Sequence, residues 1–274
     1  MMPRIAWRLS PQLYAWRLRG ESYLVRGCDD AAAAGYTGVE VDLSALAAHG
    51  ALLGDRLRER SLSLAAAFVS LRDDASSTAF DDVASRVVAA RALGCRVLNV
   101  ALHPARGAPC INERAAALVL TSIAQRIGDV RVCWHPHEAE FRGNPTPLHE
   151  VLDASADAVA ICLDVGWALR AAVDVPLLVA RLGRRLGSLH VRDARDGRWV
   201  QAVGEGDLPL ARIVRALDDA AFAGWLSVEL WFERTTNVSR DLAANATRSR
   251  LALQRALTGS PAPQEEAACP STRA

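Results

Sequence analysis

The stretch VAICLDVG, residues 159–166, decides how the chain folds. Its first five residues are all apolar and two are β-branched. A strand with one wet face would alternate, so an unbroken run of this length reads as a strand buried on both faces, the signature of a parallel sheet. The one interruption is Asp164, near the end. A helical pattern follows at 175–186, and then a second run of the same kind, LGSLHVRDA (186–194), broken near its end by His190, Arg192 and Asp193. Strand, helix, strand, each strand closing on polar residues, is a βαβ unit.

The same unit repeats outward in both directions. Strands are expected at an N-terminal segment (IAW or LYAW), then GVEVDL (38–43), LSLAAAFVSL (62–71), RVLNVALHP (96–104), VRVCWHPH (130–137), 159–166, 186–194 and WLSVELWF (225–232). Helical patterns fill the gaps at 23–34, 46–60, 80–93, 112–127, 147–154, 175–186, 208–222 and 240–257. Gly35, Gly94, Gly128, Gly187 and Gly224 stand where helices should stop. Eight such units across residues 1–258 predict a single-domain (β/α)8 TIM barrel rather than a doubly wound sheet of five or six strands. No GxGxxG follows the first strand, so nothing supports a dinucleotide site. The segment from 259 to 274, rich in Pro, Ala and Ser, reads as a disordered tail.

Composition narrows the function. A net charge of +1 excludes a strong electrostatic claim on nucleic acid or a membrane surface. All 32 basic residues are arginine, so a lysine Schiff base is impossible and carbonyl chemistry needs another electrophile, most simply a metal. The six cysteines are scattered without a CxxC and read as small core residues of a reducing cytoplasm. Neither a signal peptide nor an apolar run of about 20 residues is visible, and the chain is expected to be cytoplasmic.

In a barrel the active site forms at the carboxyl ends of the strands. Strand two carries Glu40, and strand four ends in His103. WHPHEAEF (134–141) places His135, His137, Glu138 and Glu140 at the end of strand five. Strand six carries Asp164 and then Trp167, strand seven His190 and Arg192, and strand eight Glu229. An acid, an imidazole and an acid on three successive apolar strands are hard to bury except around a metal, and a mixed oxygen and nitrogen set suits Mn²⁺, Mg²⁺, Co²⁺, Fe²⁺ or Zn²⁺. A buried salt-bridge cluster is the plainer alternative. His49 and His149 lie in helical stretches and read as surface residues.

GYTGVE (35–40), LDVGW (163–167), LHVRD (189–193), VGEGDLP (203–209) and LSVELW (226–231) together resemble the xylose isomerase-like TIM barrels, the sugar phosphate isomerase/epimerase superfamily. The resemblance covers nearly all of residues 4–257. It implies one divalent metal, Mn²⁺ first, held by two glutamates, an aspartate and a histidine. Asp164, His190 and Glu229 fall on three of those positions. At strand five, where many members carry a glutamate, this chain has His135. WHPHEAEF and Trp167 are similar to an inosose-dehydratase-like subgroup with a His-x-His strand, which implies Glu140 as the fourth ligand and His135 as its rival. The expected substrate-binding residues are Glu40, His103, Arg192, Trp167 and Trp16, with Trp134 a further candidate for an apolar wall beneath a sugar ring.

The implied chemistry is removal of a proton beside a carbonyl, with Glu229, Glu140, His135 and His137 as the acid–base candidates. Returning the proton to the next carbon isomerises a sugar or polyol, and returning it to the other face epimerises it. Losing a β-hydroxyl makes the enzyme a dehydratase on a keto-cyclitol or keto-sugar. A sugar-binding barrel without catalysis is the non-enzymatic alternative, and a DNA-repair barrel of the same fold is disfavoured by the neutral charge. The GEGD turn argues against a phosphorylated substrate, and a homodimer or homotetramer is expected by resemblance.

Overall fold

The computed structural model describes residues 8–13, 23–232 and 238–259. Eight parallel strands form one sheet: β1 (Arg8–Pro11), β2 (Gly38–Asp42), β3 (Ser63–Arg72), β4 (Val97–His103), β5 (Arg131–His135), β6 (Ala160–Asp164), β7 (Leu186–Val191) and β10 (Trp225–Val228). They follow one another around the sheet in chain order, and β1 lies against β10. The free edges meet where Gln12 bridges Glu40 and the Leu13 N–H donates to the Glu40 carbonyl at 2.9 Å. The sheet is thus a closed barrel.

Helices α1 (Tyr23–Ala34), α2 (Leu43–Glu59), α3 (Ser77–Ala92), α4 (Glu113–Ile127), α5 (Pro147–Ser155), α6 (Val165–Arg170), α7 (Val175–Leu182), α8 (Leu210–Asp219) and α9 (Leu242–Thr258) lie between and after the strands. A small antiparallel hairpin, β8 (Ala194–Arg195) with β9 (Arg198–Trp199), follows β7. Several helices begin at an acid or amide whose side chain accepts a first-turn N–H: Asp42, Asn112, Asp164, Asp174 and Asp241.

Strand alternation divides the apolar residues into two shells. Outward residues such as Val41, Val100, Trp134, Ile161 and Leu163 are at most 1 % exposed and join the helices' inner faces in one core. Each large side chain so buried contributes about 1.5–3 kcal/mol. Inward residues make a separate small cluster, Cys133, Ala160 and Cys162, deep in the barrel. Below it, Trp225 reaches over Gly38 to close the amino end. A Cβ at Gly38 would lie 2.7 Å from Trp225 Cη2 and 2.8 Å from the Ser63 carbonyl oxygen.

Element boundaries fall within a few residues of expectation, and the hairpin after β7 was not anticipated; four further differences stand out. The first strand, RLSP, lies between the two segments proposed for it. Strands five to eight are shorter at their carboxyl ends, because the chain turns into the site loops. The six-residue α6, directly after β6, was not anticipated: Asp164 caps it without any change of hydrophobic period. Finally, Gly35, Gly94 and Gly128 take positive φ at helix ends, but Gly187 and Gly224 do not. Gly187 lies inside β7, beside a register shift, where a Cβ would collide with Cys133 Sγ. A Cβ at Gly224 would press on the Gly187 carbonyl at 2.8 Å. Close packing, not a turn, demands glycine there.

Cys28, Cys95, Cys133 and Cys162 are buried free thiols and Cys110 is an exposed one. Among the described residues no helix is long and apolar enough to cross a membrane. The stretch read as a tail, apart from Gly259, lies outside the described residues. Gly38→Ala is expected to lower stability by about 1–3 kcal/mol, read from urea unfolding, because Ser63 backbone must move to admit the methyl group.

Candidate active site

His190 is the centre of the polar cluster. It sits on β7 opposite Asp164 of β6 and Ser227 of β10, and it is 0 % exposed. Its Nε2 lies 2.9 and 3.0 Å from the two carboxylate oxygens of Glu40, and its Nδ1 lies 2.9 Å from Glu229 Oε2. Burial alone works against an imidazolium. Neighbouring Cys162 and the carboxylates of Glu40 and Glu229 outweigh it and raise the His190 pKa well above the ordinary histidine range. For Glu229 burial acts upward, but the His190 hydrogen bond and the charges of Arg192, His190 and His135 hold its carboxyl well below the usual range. Glu40 is fixed from behind: Asn99 Nδ2 donates to its Oε2 at 3.0 Å, and Ser188 Oγ donates to Asn99 Oδ1 at 2.7 Å.

His135, at the end of β5, faces this group from the other side. Its Nε2 is 3.7 Å from Asp164 Oδ2 and 3.9 Å from Glu229 Oε2, too far for hydrogen bonds. Both His135 nitrogens and Asp164 Oδ2 are buried with no hydrogen-bond partner. Asp164 Oδ1, by contrast, is used: it accepts from the Gly166 and Trp167 N–H groups at 2.8 and 3.0 Å. One oxygen of this aspartate caps a helix and the other is aimed into the barrel mouth. Phe68 of β3 walls the cluster, stacked on His190 with centroids 6.0 Å apart and edge-on to His135 at 5.7 Å.

The rim is aromatic and cationic. Arg192 is 3 % exposed and lies over the Trp199 ring at 3.6 Å. One of its nitrogens donates to the Trp231 carbonyl at 2.5 Å and another is 3.6 Å from Glu229 Oε1. Trp167 meets Trp199 edge-on at 4.8 Å and His137 at 5.7 Å. Asp193 carries no site chemistry: its carboxylate accepts from the N–H groups of Ala194, Gly204, Gly206 and Leu208, pinning the VGEGD turn. In that turn Glu205 pairs with Arg240 and Arg248 at 2.6 and 3.1 Å.

Of the expected residues, Asp164, His190 and Glu229 come together, and His135 joins them. Glu140 stands elsewhere. Its Oε2 accepts the His137 backbone N–H at 2.7 Å within the short 3-10 turn Glu138–Phe141, so it shapes the strand-five loop instead of entering the group. Burial raises its pKa despite that bond. Glu40 was expected to meet a substrate hydroxyl, but it is 0 % exposed beneath His190 and serves that imidazole. Arg192 is likewise committed to Trp231, Trp199 and Glu229 rather than open to a substrate carboxylate. Trp134 points outward into the core at 1 % exposure, as its alternation with His135 requires. Trp167 and His137 are half-buried at the mouth, and exposed His103 stacks on His137 with centroids 5.4 Å apart. Burial and the neighbouring His135 and His103 push the His137 pKa down to about 3, leaving a neutral imidazole. His49 and His149 are exposed, and Trp16 lies outside the described residues.

Phe68, Asn99, Ser188 and Trp199 escaped the reading of the sequence. Asn99 and Ser188 had a weak signal, being single polar residues inside apolar strands. Phe68 and Trp199 had none, since aromatic residues are ordinary in a core.

A family profile described as xylose isomerase-like TIM barrel matches residues 28–255. The chain belongs to this family. By sequence alone no curated protein matches it significantly. Among solved structures, a xylose isomerase domain protein from Alicyclobacillus acidocaldarius is 22 % identical with a TM-score of 0.72, over 92 % of this chain and 99 % of that one. A D-allulose 3-epimerase from Methylomonas sp. is 16 % identical with a TM-score of 0.74, over 93 % and 99 %. An L-ribulose 3-epimerase is 17 % identical with a TM-score of 0.72, over 94 % and 99 %. At these identities the likeness is one of fold.

In this xylose isomerase-like barrel, one donor atom each from His135, Asp164, His190 and Glu229 lies within 4.8 Å of the other three, and the four could hold a metal ion. Two donors about 2.1 Å from one ion span at most about 4.2 Å, so only a slight contraction is needed. An ion would also engage the unpartnered Asp164 oxygen and one His135 nitrogen, each of which otherwise costs about 1–3 kcal/mol. Glu40 then orients His190, with Nε2–H donated to Glu40 and Nδ1 presented to the site. Glu40→Gln is expected to keep the fold but weaken Zn²⁺ or Mn²⁺ binding about 10–100-fold, measured by indicator competition.

Proposed function

We propose that this barrel is a divalent-metal-dependent isomerase or epimerase of a sugar or polyol-like hydroxyketone. The observation that carries the reading is the convergence of His135, Asp164, His190 and Glu229, with buried Asp164 Oδ2 and both His135 nitrogens lacking any partner. The ketose epimerases among the barrels of the same fold support the substrate class. When bound, a divalent ion would polarise the substrate carbonyl and favour enediolate formation.

The chain's own residues do the rest. Glu229, kept ionised by His190 and Arg192, is the base that takes the α-proton. His137 stands at the mouth as a neutral imidazole and is the acid–base group for the other side of the substrate; Glu140 holds its backbone in place. Trp167, edge-on to His137, offers an apolar face to the C–H-rich side of a sugar ring. Half-buried Phe68 and the Arg192–Trp199 stack keep water from the donors. The His135-Pro136-His137 segment at the end of β5, which resembles the inosose-dehydratase-like pattern, makes loss of a β-hydroxyl the competing outcome of the same proton removal.

The test is to incubate the metal-loaded protein with a panel of ketopentoses, ketohexoses and a keto-cyclitol in D₂O and follow them by NMR. Deuterium at the carbon next to the carbonyl, with carbon skeleton and hydroxyls intact, is the expected result. Loss of water would replace the isomerase reading with the dehydratase one, and no exchange on any substrate would leave a binding barrel. Glu229→Gln should lower turnover about 10²–10⁴-fold with unchanged circular dichroism, and near-normal turnover would refute its role. Chelation should abolish the exchange and added divalent ion restore it.

A further inference from the structure

The proposed function leaves open which ion the site takes, and the donor atoms themselves bear on that choice. They comprise two imidazole nitrogens and two carboxylate oxygens. Each is limited to a single contact. Asp164 Oδ1 is held by the Gly166 and Trp167 N–H groups, leaving only Oδ2. Glu229 Oε1 faces the Arg192 guanidinium at 3.6 Å, leaving Oε2 toward the group. Glu40, the other acid on His190 among the described residues, has both oxygens on that imidazole and one also on Asn99, so it cannot supply a further oxygen. Among the described residues the site thus offers four one-point donors.

Three features follow from that set. Oxygen-loving ions such as Mg²⁺ and Mn²⁺ favour near-octahedral, oxygen-rich surroundings, whereas imidazole suits Zn²⁺, Co²⁺ and Fe²⁺, and Zn²⁺ accepts four donors. Asp164 and Glu229 would balance a divalent charge, and Arg192 and Glu40 add one charge of each sign, so the formal charges of the loaded site would sum to zero in a buried place. The third nearby donor type is soft. Cys162 Sγ lies within 4.8 Å of donor nitrogens on both His135 and His190, on the imidazole side of the cluster.

We infer that this site selects an ion of the Zn²⁺, Co²⁺ and Fe²⁺ class over Mg²⁺ and Mn²⁺, and that His135 sets the choice. The inference rests on the metal-dependent reading above, and it displaces Mn²⁺ as the first expectation. His135 decides because it alone among the four has no protein hydrogen bond at either nitrogen, so its whole polar capacity is available to an ion.

The test uses the full chain, stripped with chelator and titrated separately with Zn²⁺ by indicator competition and with Mn²⁺ by the loss of the free-ion electron paramagnetic resonance signal. The wild type is expected to bind one Zn²⁺ per chain. Its preference for Zn²⁺ over Mn²⁺ should fall by about tenfold or more in His135→Glu, as an imidazole becomes a carboxylate. Co²⁺ added to the stripped wild type should give the intense visible absorption of a four- or five-coordinate ion, a measurement that needs no variant to fold. An unchanged preference in His135→Glu, or a weak octahedral Co²⁺ spectrum, would overturn the inference while leaving the metal-dependent reading intact. Failure of the wild type to bind either ion stoichiometrically would overturn both.

Discussion

Charged groups facing into a closed parallel barrel must be neutralised with almost no help from water, and His190 is where this barrel meets that demand. Its two nitrogens reach two carboxylates, Glu229 just beyond the neighbouring strand β10 and Glu40 on β2, three strands away around the barrel. The contact with Glu40 crosses the interior, so it depends on closure: β1 must lie between β2 and β10 for the two acids to flank one imidazole. Closure in turn depends on small residues at the amino end, where Gly38 makes room for Trp225.

The same demand orders the rest of the site. Glu40, at 0 % exposure, has its carboxylate oxygens taken up by His190 and Asn99, and Asn99 is itself satisfied by Ser188. Arg192 stands against Glu229 and rests on Trp199, so its charge is met within the protein rather than offered to solvent. Within the group His135, Asp164, His190 and Glu229, what remains unpaired is Asp164 Oδ2 and the two nitrogens of His135, whose Nε2 lies 3.7 Å from that oxygen. A site with every polar atom satisfied would have no use for an ion. These four residues are satisfied everywhere except at the point where an ion would sit.

The fold was legible because its signal is local. Runs such as VAICLDVG are apolar on both faces, and strands buried on both faces occur where helices cover a parallel sheet. Alternation then told Asp164, His190 and Glu229 apart from their outward neighbours, and these three do converge. The supporting residues were less visible. Asn99 and Ser188 matter through partners 59 and 89 positions away, Glu40 and Asn99 respectively, separations no periodicity reveals. Glu140 had the right charge and nearly the right place. A 3-10 turn after β5 brought its carboxylate back onto the His137 N–H, since an unmet backbone donor close at hand captures a nearby acid.

By itself the sequence determined the barrel, its eight-unit order and three of the four converging side chains, because each depends on residue type and a period of two or of 3.6. Only the tertiary structure decided the fourth, His135 in place of Glu140, and moved Glu40 and Arg192 from the substrate's side to the support of His190 and Glu229. Those assignments turn on which buried polar atoms find partners across the barrel, and partners are set when distant strands meet in space.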